Sequence, residues 1–199
     1  MKKFNSSLVI SFMGTDGSGK STLIKKLTKR LKKNYRKIKY LHLRPYLFLT
    51  DSSVVNTNPH DQKLPLSQVG SLIKILTWLW MYYFFFLINL YKKNQLIIFD
   101  RYAHDLLIDK IRYRFNLPKK FTQFILNLFP KPNLWIVLKA PIKLIEKRKK
   151  ELSINELKRQ MNEYINFSKK QKNTLLVDTE KKIEKNILLI ARKMKSIIS

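Results

Sequence analysis

Five short apolar runs punctuate the chain: Leu8–Met13, Ile38–Leu43, Gln95–Phe99, Leu134–Leu138 and Thr174–Val177. Each has strand length and lacks polar alternation, the pattern of parallel strands covered on both faces. Longer stretches with apolar residues at helical spacing lie between them. Lys20–Lys33 places Leu23, Leu27 and Leu31 on a four-residue step, Ser67–Tyr91 is a long aromatic helix, and Leu117–Phe129 holds another, opened by Pro118. Pro141 suits the first turn of Ile142–Lys150, where its missing N–H has no partner to lose. Ser153-Ile154-Asn155-Glu156 is a capping box that starts a helix running to about Lys172, with Glu156 reaching back to Ser153. Asp178 or Thr179 is placed to cap a last helix, Ile183–Ile198. Strand and helix alternate throughout, which predicts one doubly wound α/β domain over residues 1–199. The one long irregular connection, Pro45 to Pro65, has the length of a functional loop.

The turn after the first run carries the strongest chemical signal. Gly14-Thr15-Asp16-Gly17-Ser18-Gly19-Lys20-Ser21 fits G-x-x-x-x-G-K-[ST], the Walker A pattern, between a buried strand and an amphipathic helix. Three of the chain's four glycines, Gly14, Gly17 and Gly19, fall here. Glycine lets successive backbone N–H groups turn toward phosphate oxygens, and the helix N-terminus adds a favourable dipole. Lys20 can reach the β- and γ-phosphates of ATP, and the Ser21 hydroxyl can ligate Mg²⁺. Asp16, Ser18 and Thr22 complete the candidate nucleotide-binding set.

A second signal closes the third run, where Ile97-Ile98-Phe99 leads into Asp100-Arg101-Tyr102. Ligands of open α/β sheets sit at the carboxyl ends of the strands. Asp100 is therefore placed to hold Mg²⁺, and Arg101 to grip a phosphate with its two-pronged guanidinium. Arg44-Pro45 ends the second run in the same way. Arg112 and Arg114, flanking Tyr113, are further candidates for an acceptor phosphate, weighed against a solvated charge cluster. His42, His60 and His104 share no metal-ligand spacing, although His104-Asp105 lies close enough to touch an acceptor hydroxyl.

Composition narrows the field. The 199 residues include no cysteine, which excludes disulfides, zinc–cysteine sites and thiol nucleophiles. A 45% hydrophobic content excludes a largely disordered chain. Lys and Arg number 41 against 13 Asp and Glu, a net charge of +28 that would suit an anionic partner. Yet 32 of those cations are lysines spread along the whole chain, beside 14 Asn and 21 Ile, the bias of an A+T-rich coding sequence. Nucleic acid is therefore not the expected partner. Seventeen uncharged residues separate Lys74 from Lys92. As a helix they span about 25 Å, short of a ~30 Å hydrocarbon core, and a strand follows within a few residues. The reading is a helix buried against the sheet, with peripheral membrane contact as the alternative. Met1-Lys2-Lys3 precedes too short an apolar run for a signal peptide, so a cytoplasmic protein is expected, with a homodimer left open.

Residues Phe12 to Thr22 resemble the phosphate loop of thymidylate kinases, including its Asp-Gly-Ser-Gly core. Asp100-Arg101-Tyr102 resembles their Asp-Arg-Tyr motif, and Arg44-Pro45 is similar to their Arg-Glu-Pro turn with one residue missing. Pro132 to Leu138 resembles their Pro-Asp-Leu strand, and Arg148-Lys149-Lys150-Glu151 sits where a lid arginine would be. The resemblance runs in order over nearly the whole chain. It implies a three-layer P-loop NTPase fold: a five-stranded parallel sheet of order 2-3-1-4-5 with helices on both faces, and a short lid near residues 148–153. It also implies that Asp16 contacts the acceptor's sugar, Arg44 and Arg101 its phosphate, and that Arg148 closes over the transferring group.

Three departures stand out. Met13 replaces the acidic residue before the first loop glycine, the Ser and Ala-Tyr-Gln expected after Asp-Arg-Tyr are missing, and the lid is very short. The chain thus resembles divergent bacterial members more than the housekeeping enzyme. The expected activity is transfer of the γ-phosphoryl group of ATP·Mg²⁺ to a phosphate-bearing small molecule, with dTMP the default acceptor. Lys20, Asp100, Arg101 and Arg148 form the expected catalytic set. A sugar or lipid acceptor, or a non-catalytic nucleotide-binding protein, is the alternative.

Overall fold

The computed structural model describes residues 7–45, 64–90, 92–148 and 152–198. In chain order the elements are β1 (Leu8–Met13), α1 (Lys20–Leu31), β2 (Lys37–His42), α2 (Gln68–Leu90), β3 (Gln95–Asp100) and α3 (Asp105–Ile108). There follow α4 (Lys119–Asn127), β4 (Leu134–Lys139), α5 (Ile142–Arg148), α6 (Ile154–Lys170), β5 (Thr174–Asp178) and α7 (Ile183–Ile198). The five strands form a parallel sheet of order β2-β3-β1-β4-β5, as the resemblance implies. Register sets Phe12 beside Asp100, and Asp100 beside His42, so three strands bring their carboxyl ends to one edge.

Strand pleating divides the apolar residues into two cores. Leu8, Ile10 and Phe12 join Leu96, Ile98 and Ile136 under α1 and α7. Met13, Ile97, Phe99, Trp135 and Val137 face α2, α4 and α6. Because both faces are covered, the inner strands read as unbroken apolar runs. The edge strand β2 differs: Lys37, Tyr40 and His42 are exposed, so it lacks the two-sided burial expected of it.

α2 departs further from expectation. One face is core, where Ile75, Trp78, Tyr82 and Phe85 pack inward, and the Tyr82 ring meets Phe99 at 5.5 Å and Tyr102 at 4.6 Å. The opposite face is apolar and exposed. The sequence pattern could not separate the two because both sides of the helix are apolar.

The short α3 escaped the periodicity because four residues make one turn. Of the capping box at α6, one half forms: Ser153 Oγ accepts from the Glu156 N–H at 3.3 Å. The Glu156 carboxylate does not reach back, being taken by Arg159 at 2.6 and 2.7 Å and by Gln160 at 3.0 Å. Asp178 and Thr179 do not cap α7; Asp178 accepts from Glu180 N–H and the Thr179 hydroxyl donates to the Lys139 carbonyl. Most of the irregular stretch after Pro45, His60 within it, and lid residues 149–151 lie outside the described residues.

Candidate functional site

Two glycines shape the turn from β1 into α1. Gly17 has φ +75° and Gly19 φ +92°, a left-handed region that costs L side chains strain. A Cβ on Gly17 would also press on Ile145 at 3.3 Å. Gly19 stands at the N-cap with no side chain to occupy the first-turn N–H groups, and no acidic residue follows in that turn. The positive end of α1 is thus open to an anion. Thr15 Oγ1 and Ser18 Oγ are buried with no hydrogen-bond partner, while Ser21 and Thr22 are exposed.

Lys20 is buried beneath this loop, its Nζ donating to the Gly14 and Thr15 carbonyls at 2.7 Å each. Burial, reinforced by Arg101, pushes its pKa down to about 8 against the pull of Asp100, Asp16 and Asp105.

At the end of β3, Asp100 Oδ2 accepts from the Tyr40 hydroxyl at 2.8 Å, and His42 Nδ1 lies 3.9 Å away. Its other oxygen, Oδ1, is buried and unpaired. Burial drives the Asp100 pKa up, but His42, Lys20, Tyr40 and Arg101 together hold it below the ordinary value.

Arg101 adopts φ +74°, a conformation costing about 1–3 kcal/mol for a residue with a side chain. Its N–H donates to the Phe12 carbonyl at 2.8 Å, pinning that turn to β1. The buried guanidinium gives one nitrogen to Asp16 and the other to Asp105. Tyr164 and Tyr113 also donate to Asp105, at 2.9 and 3.2 Å. Arg112 binds the second oxygen of Asp16. Burial would raise the Asp16 pKa, yet Arg101, Lys20 and Arg112 keep it well below the usual carboxylate range. The cluster thus balances three cations (Lys20, Arg101, Arg112) against three carboxylates (Asp16, Asp100, Asp105).

The structure therefore brings Lys20, Asp16, Asp100, Arg101 and Arg112 together. Arg148 joins them from the end of α5, its Nη1 donating to the Gly17 carbonyl at 3.1 Å. Arg44 lies over the Trp78 ring at 5.9 Å. Arg114 does not reach Asp16; its Nε binds the Leu64 carbonyl at 2.8 Å. His104 is buried among Tyr102, Trp135 and Phe167, its two ring nitrogens without hydrogen-bond partners, so it does not face an acceptor. Burial holds it neutral, with a pKa near 3.

Sequence reasoning missed Tyr40, Tyr113 and Tyr164, which reach the site only through tertiary folding, and it aimed Asp105 at an acceptor hydroxyl where the fold pairs it with Arg101. It also missed Lys74, whose Nζ donates to the Tyr113 carbonyl at 2.6 Å and sits 5.5 Å from the Trp78 ring. The signal was available: Lys74 is the one charge in the long apolar run from Leu72. Among the described residues no group of three His, Asp or Glu could hold a metal.

The profile of the KAP family P-loop domain matches residues 2–191. No curated protein matches the chain by sequence. Among solved structures, the thymidylate kinase from Ehrlichia chaffeensis superposes with a TM-score of 0.64 at 19% identity, covering 95% of this chain and 99% of that one. The thymidylate kinase from Candida albicans gives 0.64 at 18% identity, over 98% of this chain and 94% of that one. The deoxyadenosine kinase from M. mycoides, with bound dATP, gives 0.60 at 19% identity, over 94% and 99%. At such identities the likeness establishes a shared P-loop kinase fold.

Proposed function

Since the chain belongs to the KAP family of P-loop domains, we propose that it is an ATP-dependent phosphotransferase whose acceptor is a small phosphate-bearing molecule. The observation carrying this reading is Asp16, a residue of the phosphate loop itself, holding Arg101 and Arg112 beside that loop. Those cations flank the site where a donor phosphate would lie. An acceptor phosphate placed between them needs no strong general base, because its oxygen is already anionic.

The residues present fit Mg²⁺. Asp100 Oδ1 is buried and unpaired, and Ser21, the second residue of α1, is exposed next to the loop. One carboxylate and one hydroxyl suit an ion that keeps several waters and takes its other oxygens from phosphates. When bound with ATP, Mg²⁺ neutralises charge on the phosphate oxygens. Lys20 exchanges its two loop carbonyls for phosphate oxygens, and Arg148 covers the loop from outside. An acceptor oxygen attacks the γ-phosphorus, the bond to the β–γ bridging oxygen breaks, and ADP leaves with that electron pair. Catalysis is positioning and charge neutralisation.

The resemblance makes dTMP the default acceptor; the missing thymidylate-kinase residues favour another phosphorylated molecule. We propose a cytoplasmic site of action, in keeping with the apolar run near the N-terminus being too short for a signal peptide. A second reading, nucleotide binding without an acceptor, is favoured by Arg101 being engaged at both nitrogens. A screen of acceptor-dependent ADP release over nucleoside monophosphates and phosphorylated sugars decides between them. Release stimulated by one class supports the transferase; tight ATP binding with no stimulated release supports the second reading.

A further inference from the structure

The outer face of α2 takes no part in the site. Val69, Ile73, Leu76, Trp80, Tyr83 and Leu87 recur at steps of four and three, all on one stripe and all exposed, with Val69, Trp80 and Leu87 at 60–67%. Phe124 and Leu128 extend the patch onto α4, which the Tyr83 hydroxyl ties to α2 by donating to the Leu128 carbonyl at 2.7 Å. An exposed apolar surface of this extent marks an interaction site.

α2 is long and apolar enough to cross a membrane by length and composition. It does not cross here: its inner face is packed in the core, and β3 re-enters the sheet five residues after its end. The helix lies along the surface instead.

Charge selects what covers it. Residues 64–99 contain no Asp or Glu and three lysines; residues 110–145 contain none and eight Lys or Arg. Lys39 donates to Asn89 Oδ1 at 2.7 Å, binding the edge strand to the C-terminal end of α2. There burial depresses the Lys39 pKa, reinforced by Lys92 and Lys37 crowding it. A second copy would bury the stripe but bring +28 to +28, with no Asp or Glu in residues 64–99 to meet the lysines, whichever way the helices ran. We propose that the outer face of α2, with Lys37, Lys92 and Lys93 at its end, docks the domain on an anionic lipid surface. Rings and aliphatic side chains enter the headgroup boundary while the lysines meet lipid phosphates and carboxylates.

Flotation with vesicles of phosphatidylcholine containing roughly 30% phosphatidylserine tests this with the full chain and no nucleotide. The protein should float with them, and binding should fall on the order of tenfold with phosphatidylcholine alone or in high salt. Trp80→Glu with Leu87→Glu should abolish flotation, as should charge reversal at Lys37, Lys92 and Lys93. These side chains are exposed, so thermal melting should report intact folds. Trp78 and Trp135 are buried, so a blue shift of emission on vesicle addition belongs to Trp80, and Trp80→Phe should float without it. Failure to float overturns the proposal. So does flotation that survives the double Glu variant, since charge alone then binds. A dimer in light scattering that the same variant dissociates overturns it too, assigning the stripe to a second copy. None of these outcomes touches the phosphotransferase reading, which rests on ADP release.

Discussion

Lys20 is stored rather than idle. Its ammonium is held on two loop carbonyls under the phosphate loop, where burial lowers its pKa to about 8. Lys20→Ala should cut transfer at least a hundredfold, a loss of about 3 kcal/mol of charge stabilisation, with melting little changed. A polyphosphate would raise the pKa again, so between about pH 8 and 10 nucleotide binding should take up a proton and weaken as pH rises. Calorimetry near pH 9 in buffers of different ionisation enthalpy measures that uptake; an identical heat in every buffer would contradict it. The two arginines behave differently from one another. Arg101 is buried between Asp16 and Asp105, so Arg101→Ala strands a buried carboxylate and should cost about 3–5 kcal/mol of stability. Arg112 is more exposed and reaches Asp16 from outside. Arg112→Ala should keep the fold and lower acceptor kcat/KM about 10–100-fold, the worth of charge-assisted bonds to a phosphate. An unchanged acceptor kcat/KM would remove Arg112 from the acceptor side. The sequence exposes Lys20 and Arg101 because each sits within a contiguous motif. Asp105 and Tyr164, fifty-nine residues apart, meet only once α6 has packed on the sheet.

At the scale of elements, α6 closes one face of the sheet by laying Phe167 against Trp135 at 5.0 Å and against His104 at 5.4 Å. This leaves His104 neutral in an aromatic cage, its nitrogens unpaired. In the unfolded chain His104 takes a proton below about pH 6.5, whereas in the folded chain it resists until about 3. Stability from this residue is therefore full above pH 6.5 and is lost as pH falls toward 3. His104→Phe removes both the unpaired nitrogens and the titration. The variant should be as stable as wild type or more so at pH 7, and its urea midpoint should fall less between pH 7 and pH 4.5. An equal fall in both proteins would show that other groups govern the acid limb. The inner strands are legible in sequence because burial on both faces leaves an apolar run with nothing else to explain it. Helix faces are legible only where one side is polar. α1 meets that condition and α2 does not, which is why a half-exposed helix reads as a buried one.

For the whole molecule, the site and the surface carry different electrostatics. Three cations and three carboxylates nearly cancel within the paired cluster at the heart of the site, while the chain as a whole bears +28. Sequence counting could give the second number but not the first, since the balance depends on which charges folding brings together. The surface lysines set the far field that an incoming nucleotide feels, and the paired cluster sets the near one. Salt screens the former over about 8 Å at physiological ionic strength and hardly reaches the buried pairs. Raising salt should therefore lower kcat/KM for ATP steeply, through a slower encounter, and leave kcat nearly constant. The same screening relieves self-repulsion among the lysines, so the melting temperature should rise over the range in which kcat/KM falls. Steady-state kinetics and thermal melting across one salt series read both. A kcat that declined in parallel with kcat/KM would place the salt-sensitive charges in the transition state, and the division between a balanced site and a basic surface would not hold.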